Sequence, residues 1–186
     1  MSNSWHELMQ TLRFNGRRNA SQNPTEEVIS AFEQEHKVIF PSDYKEFCKL
    51  FGTGEAGDWL RIYCPGDPRL LDNQEIFQST IRHINFASSG NNEVDDRKID
   101  LLSNGFCMAD DRGAHFLMWD LRTYREEDLS YDLYWVLWDG PESENFEDDI
   151  KFVGRSFFKF IQDLYDGLGI REVCSSESIT RTYYRF

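Results

Sequence analysis

The order of apolar patterns along the 186 residues predicts an α+β domain, with a mixed or mainly antiparallel sheet and helices packed against it. Two amphipathic helical segments lie within residues 24–52. Strand patterns follow between residues 105 and 138, and a further amphipathic helix is predicted at residues 156–167. Helices at the start, strands in the middle and a helix at the end are typical of an α+β fold.

The first of these helices is predicted from residue 24 onwards. Asn23 is placed to cap it, with Pro24 at the first helical position, where the missing N–H of a proline is tolerated. Val28, Ile29 and Phe32 give the segment one apolar face, so we expect it to pack against a core.

The second helix is predicted to begin after Pro41, with Ser42 as its cap, because the residue before a proline avoids the helical region. Its apolar residues share the helical spacing i, i+3, i+4 and i+7, and they are Tyr44, Phe47, Cys48 and Phe51. Gly52 supplies the left-handed residue that ends many helices. A glycine-rich turn at residues 52–57 then leads into a strand at residues 59–63.

A longer helix is predicted at residues 73–85, before a polar loop at residues 88–98. Asp72 begins a capping-box pattern, and Leu71 and Ile76 are placed to form a hydrophobic staple at the start of this helix.

The sheet is predicted from four apolar segments. A strand at residues 105–109 and a return strand at residues 114–119 are separated by a turn at residues 110–113. Residues 131–138 carry the strongest strand pattern of the chain, and residues 150–153 add a short strand.

Two flanking segments complete the predicted elements. Residues 4–14 are predicted to form a helix, since their apolar residues share one face, namely Trp5, Leu8, Met9 and Leu12. Residues 179–184 are predicted to add an edge strand, because their composition favours extended structure.

Three segments, in the same order, resemble motifs of the SUKH superfamily, to which the fungal cell-wall-synthesis regulator and many bacterial immunity proteins belong. Residues 40–47 read Phe-Pro-Ser-Asp-Tyr-Lys-Glu-Phe, where the family has Leu-Pro-x-x-Tyr-x-x-Phe. The predicted hairpin that ends at Asp120 resembles the second motif, and Ser156-Phe157-x-x-Phe160-Ile161 resembles the closing one. The resemblance implies one SUKH-like domain over residues 1–186, with a family core at about residues 24–167 and additions at both ends.

The chain is strongly acidic, with 20 Lys and Arg against 33 Asp and Glu, a net charge of −13 and a pI near 4.7. Phosphate backbones repel such a surface, so a nucleic-acid partner is not expected. A basic protein partner would be attracted, and its association would be accelerated by long-range steering. The alternative is that the charge serves solubility.

The sequence predicts neither a secretory signal nor a membrane span, so a cytoplasmic protein is expected. The cysteines are far apart without a C-x-x-C pair, which favours reduced core thiols over disulfides or a metal site; they are Cys48, Cys64, Cys107 and Cys174.

Candidate chemistry is sparse, and no cofactor or metal is predicted. Cys107, His115 and Asp120 could form a nucleophilic site, but their apolar surroundings favour a core role. Asp110 and Asp111 could bind a cation with Asp120, yet the histidines lack i, i+4 spacing and no EF-hand loop is present.

Gly52, Gly54 and Gly57 satisfy the spacing G-x-G-x-x-G. In dinucleotide-binding proteins that motif follows a strand and opens a helix, whereas here it follows a helix and precedes a strand. The segment is therefore interpreted as a turn.

The resemblance implies a protein-binding domain rather than an enzyme: an immunity protein that masks the basic surface of a cognate toxin, often a nuclease. The predicted contact residues are acidic and lie in predicted turns and loops, with solvation as the alternative for each: Asp110, Asp111, Asp120, Glu142, Glu144, Glu147, Asp148 and Asp149. An exposed tryptophan beside acidic residues would be the best anchor, although the core is favoured for Trp59, Trp119, Trp135 and Trp138. A regulatory scaffold of the fungal type is the alternative function. The sequence leaves open the toxin, the oligomeric state and the role of residues 170–186.

Overall fold

The structure is a computed structural model that describes residues 4–16, 22–88, 96–113, 115–137, 149–168 and 179–186. Six helices occupy these residues: α1 (Trp5–Gln10), α2 (Glu26–His36), α3 (Ser42–Leu50), α4 (Pro68–Ser88), α5 (Asp96–Ser103) and α6 (Phe157–Asp166). Eight strands form one sheet: β1 (Arg13–Gly16), β2 (Gly54–Ala56), β3 (Leu60–Ile62), β4 (Gly105–Asp110), β5 (His115–Arg125), β6 (Ser130–Leu137), β7 (Ile150–Gly154) and β8 (Thr182–Arg185).

The sheet has the strand order β1-β8-β2-β3-β4-β5-β6-β7. The β1–β8 pair is parallel, and every other neighbouring pair is antiparallel. The predicted α+β class with a mixed sheet is therefore confirmed.

Alternating strand residues divide the core into two clusters, one on each face of the sheet. The first face carries Leu117, Trp119 and Trp135, which pack with the apolar sides of α1, α2, α3 and α6. The second face carries Phe116 and Met118, which pack with buried residues of α4 and α5. Helices therefore cover both faces of the central strands.

The apolar stripe and the end of α3 are confirmed, as is α6, but Ser42 is the first residue of α3 rather than its cap, and Pro41 occupies the cap position. The stripe Tyr44, Phe47, Cys48 and Phe51 is fully buried, and Gly52 has the left-handed φ of +70°. Ser156 caps α6, since its hydroxyl accepts a hydrogen bond from the Lys159 N–H at 3.1 Å, and Gly167 ends the helix with φ of +69°.

The cap of α2 differs from the prediction. The helix begins at Glu26 after Thr25, so Pro24 precedes it. Asn23 instead donates its side-chain amide to the Lys49 carbonyl at 3.0 Å, near the end of α3. Asn23 therefore links the segment before α2 to the end of α3 and does not cap α2.

The start of α4 was also predicted wrongly. The helix begins at Pro68, because Asp67 and Pro68 form a helix start that the capping pattern at Asp72 obscured. The staple is absent, since Leu71 and Ile76 are 45% and 58% exposed. The polar segment predicted as a loop is helical from Asp96, where α5 begins.

Three further differences from the predictions concern the end of α1, the glycine-rich turn and the position of β8. Helix α1 ends at Gln10, and residues 13–16 form β1 instead of continuing the helix. The glycine-rich turn contains β2, which pairs with β3 as a short hairpin. Strand β8 lies between β1 and β2 rather than at an edge, because both neighbours offer it backbone partners.

Candidate protein-binding surface

Asp110 was predicted to lie in an exposed acidic turn, and this expectation of exposure is wrong. It ends β4 and is 5% exposed. Its carboxylate accepts hydrogen bonds from Arg61 Nε at 2.7 Å and from the Tyr63 hydroxyl at 2.5 Å. The charge is therefore neutralised within the sheet, and burial raises the pKa of Tyr63, with the Asp110 carboxylate adding to the shift.

Asp120 and Asp149 are likewise buried, at 3% exposed each. Arg122 Nε donates to Asp120 at 2.8 Å, and the Lys98 ammonium donates to Asp149. A buried carboxylate needs such a partner, because an isolated charge is very costly away from water. Three predicted contact carboxylates thus form internal ion pairs instead of a surface.

The remaining predicted contact residues are Asp111 and four residues of the acidic run. Asp111 closes the β4–β5 turn by accepting hydrogen bonds from the Gly113 N–H at 2.8 Å and the His115 N–H at 3.1 Å, and it also pairs with the His115 ring. Glu142, Glu144, Glu147 and Asp148 lie outside the described residues.

An exposed acidic turn, which was not among the predicted contact residues, joins β5 to β6. Glu126, Glu127 and Asp128 are all exposed, and Leu129 follows with a left-handed φ of +49° and 43% exposure. The polar run between two long strand patterns was the available signal. We call residues 126–129 the acidic turn.

Arg155 fixes the base of the acidic turn. Its guanidinium donates to the Thr123 carbonyl at 2.7 Å and to the Ser130 carbonyl at 2.9 Å, which are the strand residues on either side of the turn. It also pairs with Asp132. These bonds hold the ends of β5 and β6 together, so the exposed carboxylates project from an ordered support.

An aromatic pair lies beside this base on the second face of the sheet. Phe152 of the edge strand β7 is 58% exposed, and its ring centroid lies 5.6 Å from that of Tyr134 on β6. Partial burial raises the pKa of Tyr134, with the Asp132 and Asp120 carboxylates adding to the shift, so the phenol is protonated at neutral pH. We call Asp132, Tyr134, Phe152 and Arg155 the edge patch.

The tryptophans do not supply the exposed anchor among the described residues. Trp5, Trp119 and Trp135 are buried, and the half-buried Trp59 packs on Trp135 at 5.2 Å between ring centroids. The core prediction is thus confirmed for Trp119 and Trp135, while Trp138 lies outside the described residues. The exposed aromatic side chain of the edge patch is instead Phe152.

The sequence matches the SUKH_6 family, described as SMI1-KNR4 cell-wall, over residues 26–161. The chain belongs to the SUKH superfamily. The SUKH match begins with α2 and ends within α6, so the elements α1, β1 and β8 lie outside it. Comparisons with curated proteins and with solved structures gave no match.

The nucleophilic triad considered from the sequence is not assembled in this SUKH domain. Cys107 pairs with Met118 across the β4–β5 ladder, and His115 is three residues from Met118 along β5, so the two side chains lie on opposite faces. Burial raises the pKa of the Cys107 thiol, although a hydrogen bond from Asn73 acts in the opposite direction. The thiol is therefore protonated and enclosed.

The thiols of Cys48, Cys64 and Cys107 are free and buried, which confirms the prediction of reduced core cysteines for these three. Across the described ranges, His, Cys, Asp and Glu residues form no group of three or more that could hold a metal ion. No helix in the described part of the chain is both long enough and apolar enough to span a bilayer.

Proposed function

We propose that this SUKH domain is an immunity protein, which neutralises a cognate toxin by covering a basic surface of that toxin. The observation that carries the proposal is Phe152, a largely exposed aromatic side chain on the edge strand β7. Aromatic side chains are enriched in protein interfaces, where they anchor binding. The net charge of −13 supports a basic partner.

The edge patch and the acidic turn would make different contacts with the partner. Phe152 would enter an apolar pocket of the partner, since burying an exposed aromatic side chain stabilises a complex. Glu126, Glu127 and Asp128 would face Lys and Arg residues of the toxin, which in a nuclease bind the phosphates of the nucleic acid. Because these carboxylates remain solvated, we assign them to the association rate more than to the final affinity.

Capture of the partner from the native host, followed by binding measurements with purified variants, tests this function. We expect a basic toxin domain to co-purify, and Phe152→Ala to weaken its binding about tenfold or more. Ile76→Ala is a matched control, because Ile76 is equally exposed at 58% but lies on α4. Unchanged affinity for Phe152→Ala, or equal losses for both variants, would contradict the assignment.

A regulatory scaffold is the second candidate, and the cell-wall description of the matching family favours it. The same capture experiment separates the two functions. Recovery of a cell-wall-synthesis component, with no toxin bound, would support the scaffold and remove the immunity proposal.

A further inference from the structure

Two of the three glycines with the G-x-G-x-x-G spacing, Gly54 and Gly57, lie against residues 179–186. A Cβ at Gly54 would collide with the Tyr184 carbonyl oxygen and would lie 2.7 Å from the Tyr183 ring. A Cβ at Gly57 would lie 2.6 Å from Ile179. Both glycines thus leave space for the segment 179–186.

A glycine also lies on the other side of residues 179–186, in strand β1. Gly16 of β1 has a φ of +114°, and a Cβ there would collide with the backbone of Arg185. Strand β8 pairs in parallel with β1 and antiparallel with β2, so it lies in a slot with a glycine on each wall. We call the space between β1 and β2 the β8 slot.

Tyr183 is the buried anchor in the β8 slot. It is 1% exposed, and its ring centroid lies 5.2 Å from that of Phe51 and 5.9 Å from those of Phe47 and Phe14. Its hydroxyl donates to the Gly52 carbonyl at 2.6 Å. The pocket therefore recognises both the ring and the hydroxyl of a tyrosine.

Arg185 is the second anchor, two residues further along the same face of β8. Its guanidinium donates to the Leu50 carbonyl at 3.0 Å and to the Phe51 carbonyl at 3.1 Å, and it lies 4.5 Å from the centroid of the Phe14 ring. The two carbonyls are at the end of α3, where backbone acceptors lack helical partners and a cation is favoured.

The extent of the family match separates this segment from the rest of the sheet. The matched residues 26–161 include β2 but neither β1 nor β8. Without these two strands, one side of β2 would present unpaired N–H and C=O groups, which are a template for an added strand.

We infer that the β8 slot is a recognition site for an extended peptide with a tyrosine and, two residues later, an arginine, and that the chain's own segment 179–186 is its resident occupant. Backbone pairing with β1 and β2 supplies affinity, and the tyrosine pocket and the α3 carbonyls supply specificity. The site is independent of the toxin-masking function, since the slot and β7 lie towards opposite edges of the sheet. We therefore expect the same peptide to bind when the peptide is added as a separate molecule.

A labelled peptide with the sequence of residues 179–186, added to the full chain, tests this inference. In the Arg185→Ala chain the resident segment lacks its contacts to the α3 carbonyls, so we expect saturable binding of the peptide, about tenfold tighter than to the unaltered chain. Fluorescence anisotropy measures the binding, and a peptide with alanine in place of its first tyrosine should not bind. Tyr183→Phe provides a milder second background, since it keeps the ring and removes the bond to Gly52.

A glycine substitution with a matched control locates the binding site. Adding Gly54→Ala to the Arg185→Ala chain should weaken peptide binding about tenfold or more, because the new methyl group meets the backbone of the bound strand. Gly113→Ala in the same background should leave binding unchanged, since its nearest neighbour there is an Asp111 carboxylate oxygen at 3.1 Å. Absence of saturable binding in both backgrounds, or binding that is indifferent to the peptide tyrosine or to Gly54→Ala, would overturn the inference.

Discussion

Lys98 and Asp149 form an ion pair in which both side chains are almost fully buried, at 4% and 3% exposed. The lysine comes from α5 and the aspartate from the residue before β7, so the pair joins a helix to an edge strand. Removing one partner of such a pair leaves a charge without compensation in a poorly solvated site.

We therefore expect Lys98→Met to lower the free energy of unfolding by about 3–5 kcal/mol. Lys49→Met is the matched control, because the Lys49 ammonium pairs with Glu26 at 2.8 Å on the surface, and we expect it to cost less than about 1 kcal/mol. Urea denaturation of both variants provides the measurement. Similar losses for the two lysines would contradict the assignment of Lys98 and Asp149 as a buried ion pair.

At the scale of elements, helix α6 joins the sheet to α3 through its N-terminal cap. Ser156 accepts from the Lys159 N–H at 3.1 Å and donates to the Asp43 carboxylate at 2.9 Å, and Asp43 also accepts from the Phe158 N–H at 3.0 Å. The cap thus satisfies backbone donors of α6 and connects them to the first turn of α3.

Ser156→Ala should lower the free energy of unfolding by about 1–2 kcal/mol, since it removes the cap and one bond to Asp43. Ser42→Ala is the control: Ser42 lies at the start of α3, is exposed and makes no cap hydrogen bond, so we expect a change within about 0.5 kcal/mol. Denaturant unfolding measures both variants. A cost for Ser42→Ala equal to that for Ser156→Ala would contradict the assigned cap.

Elements with a long, regular pattern were predictable from the sequence because local spacing determines them. The apolar stripe of α3 and the serine-to-glycine limits of α6 are of this kind. The position of β8 was not predictable, because it depends on pairing residues 13–16 with residues 182–185. No local pattern carries information about a partner so distant in the sequence.

The candidate binding surface was less predictable than the fold. Asp110 follows an apolar strand and has the sequence signature of a turn carboxylate, but Arg61, which is 49 residues away, pairs with it inside the sheet. Phe152 has the pattern of a strand residue, and its exposure depends on β7 being the last strand and on which part of the second face the helices leave open. Both outcomes are tertiary effects.

At the scale of the whole molecule, buried ion pairs and exposed carboxylates have different roles. The buried carboxylates of Asp110, Asp120 and Asp149 are paired with cations of the same chain, whereas the acidic turn contributes to the field that a partner meets in solution. That field follows from the net charge of −13 and is screened by salt.

The association rate constant with the captured partner, measured across a series of salt concentrations, tests the central claim most directly. If the domain acts by covering a basic surface, the rate constant should fall about tenfold or more between about 50 mM and 500 mM salt. The Glu126→Lys/Glu127→Lys variant should show a slower rate at low salt and a weaker salt dependence. A rate constant that does not change with salt, or that rises with it, would contradict the account.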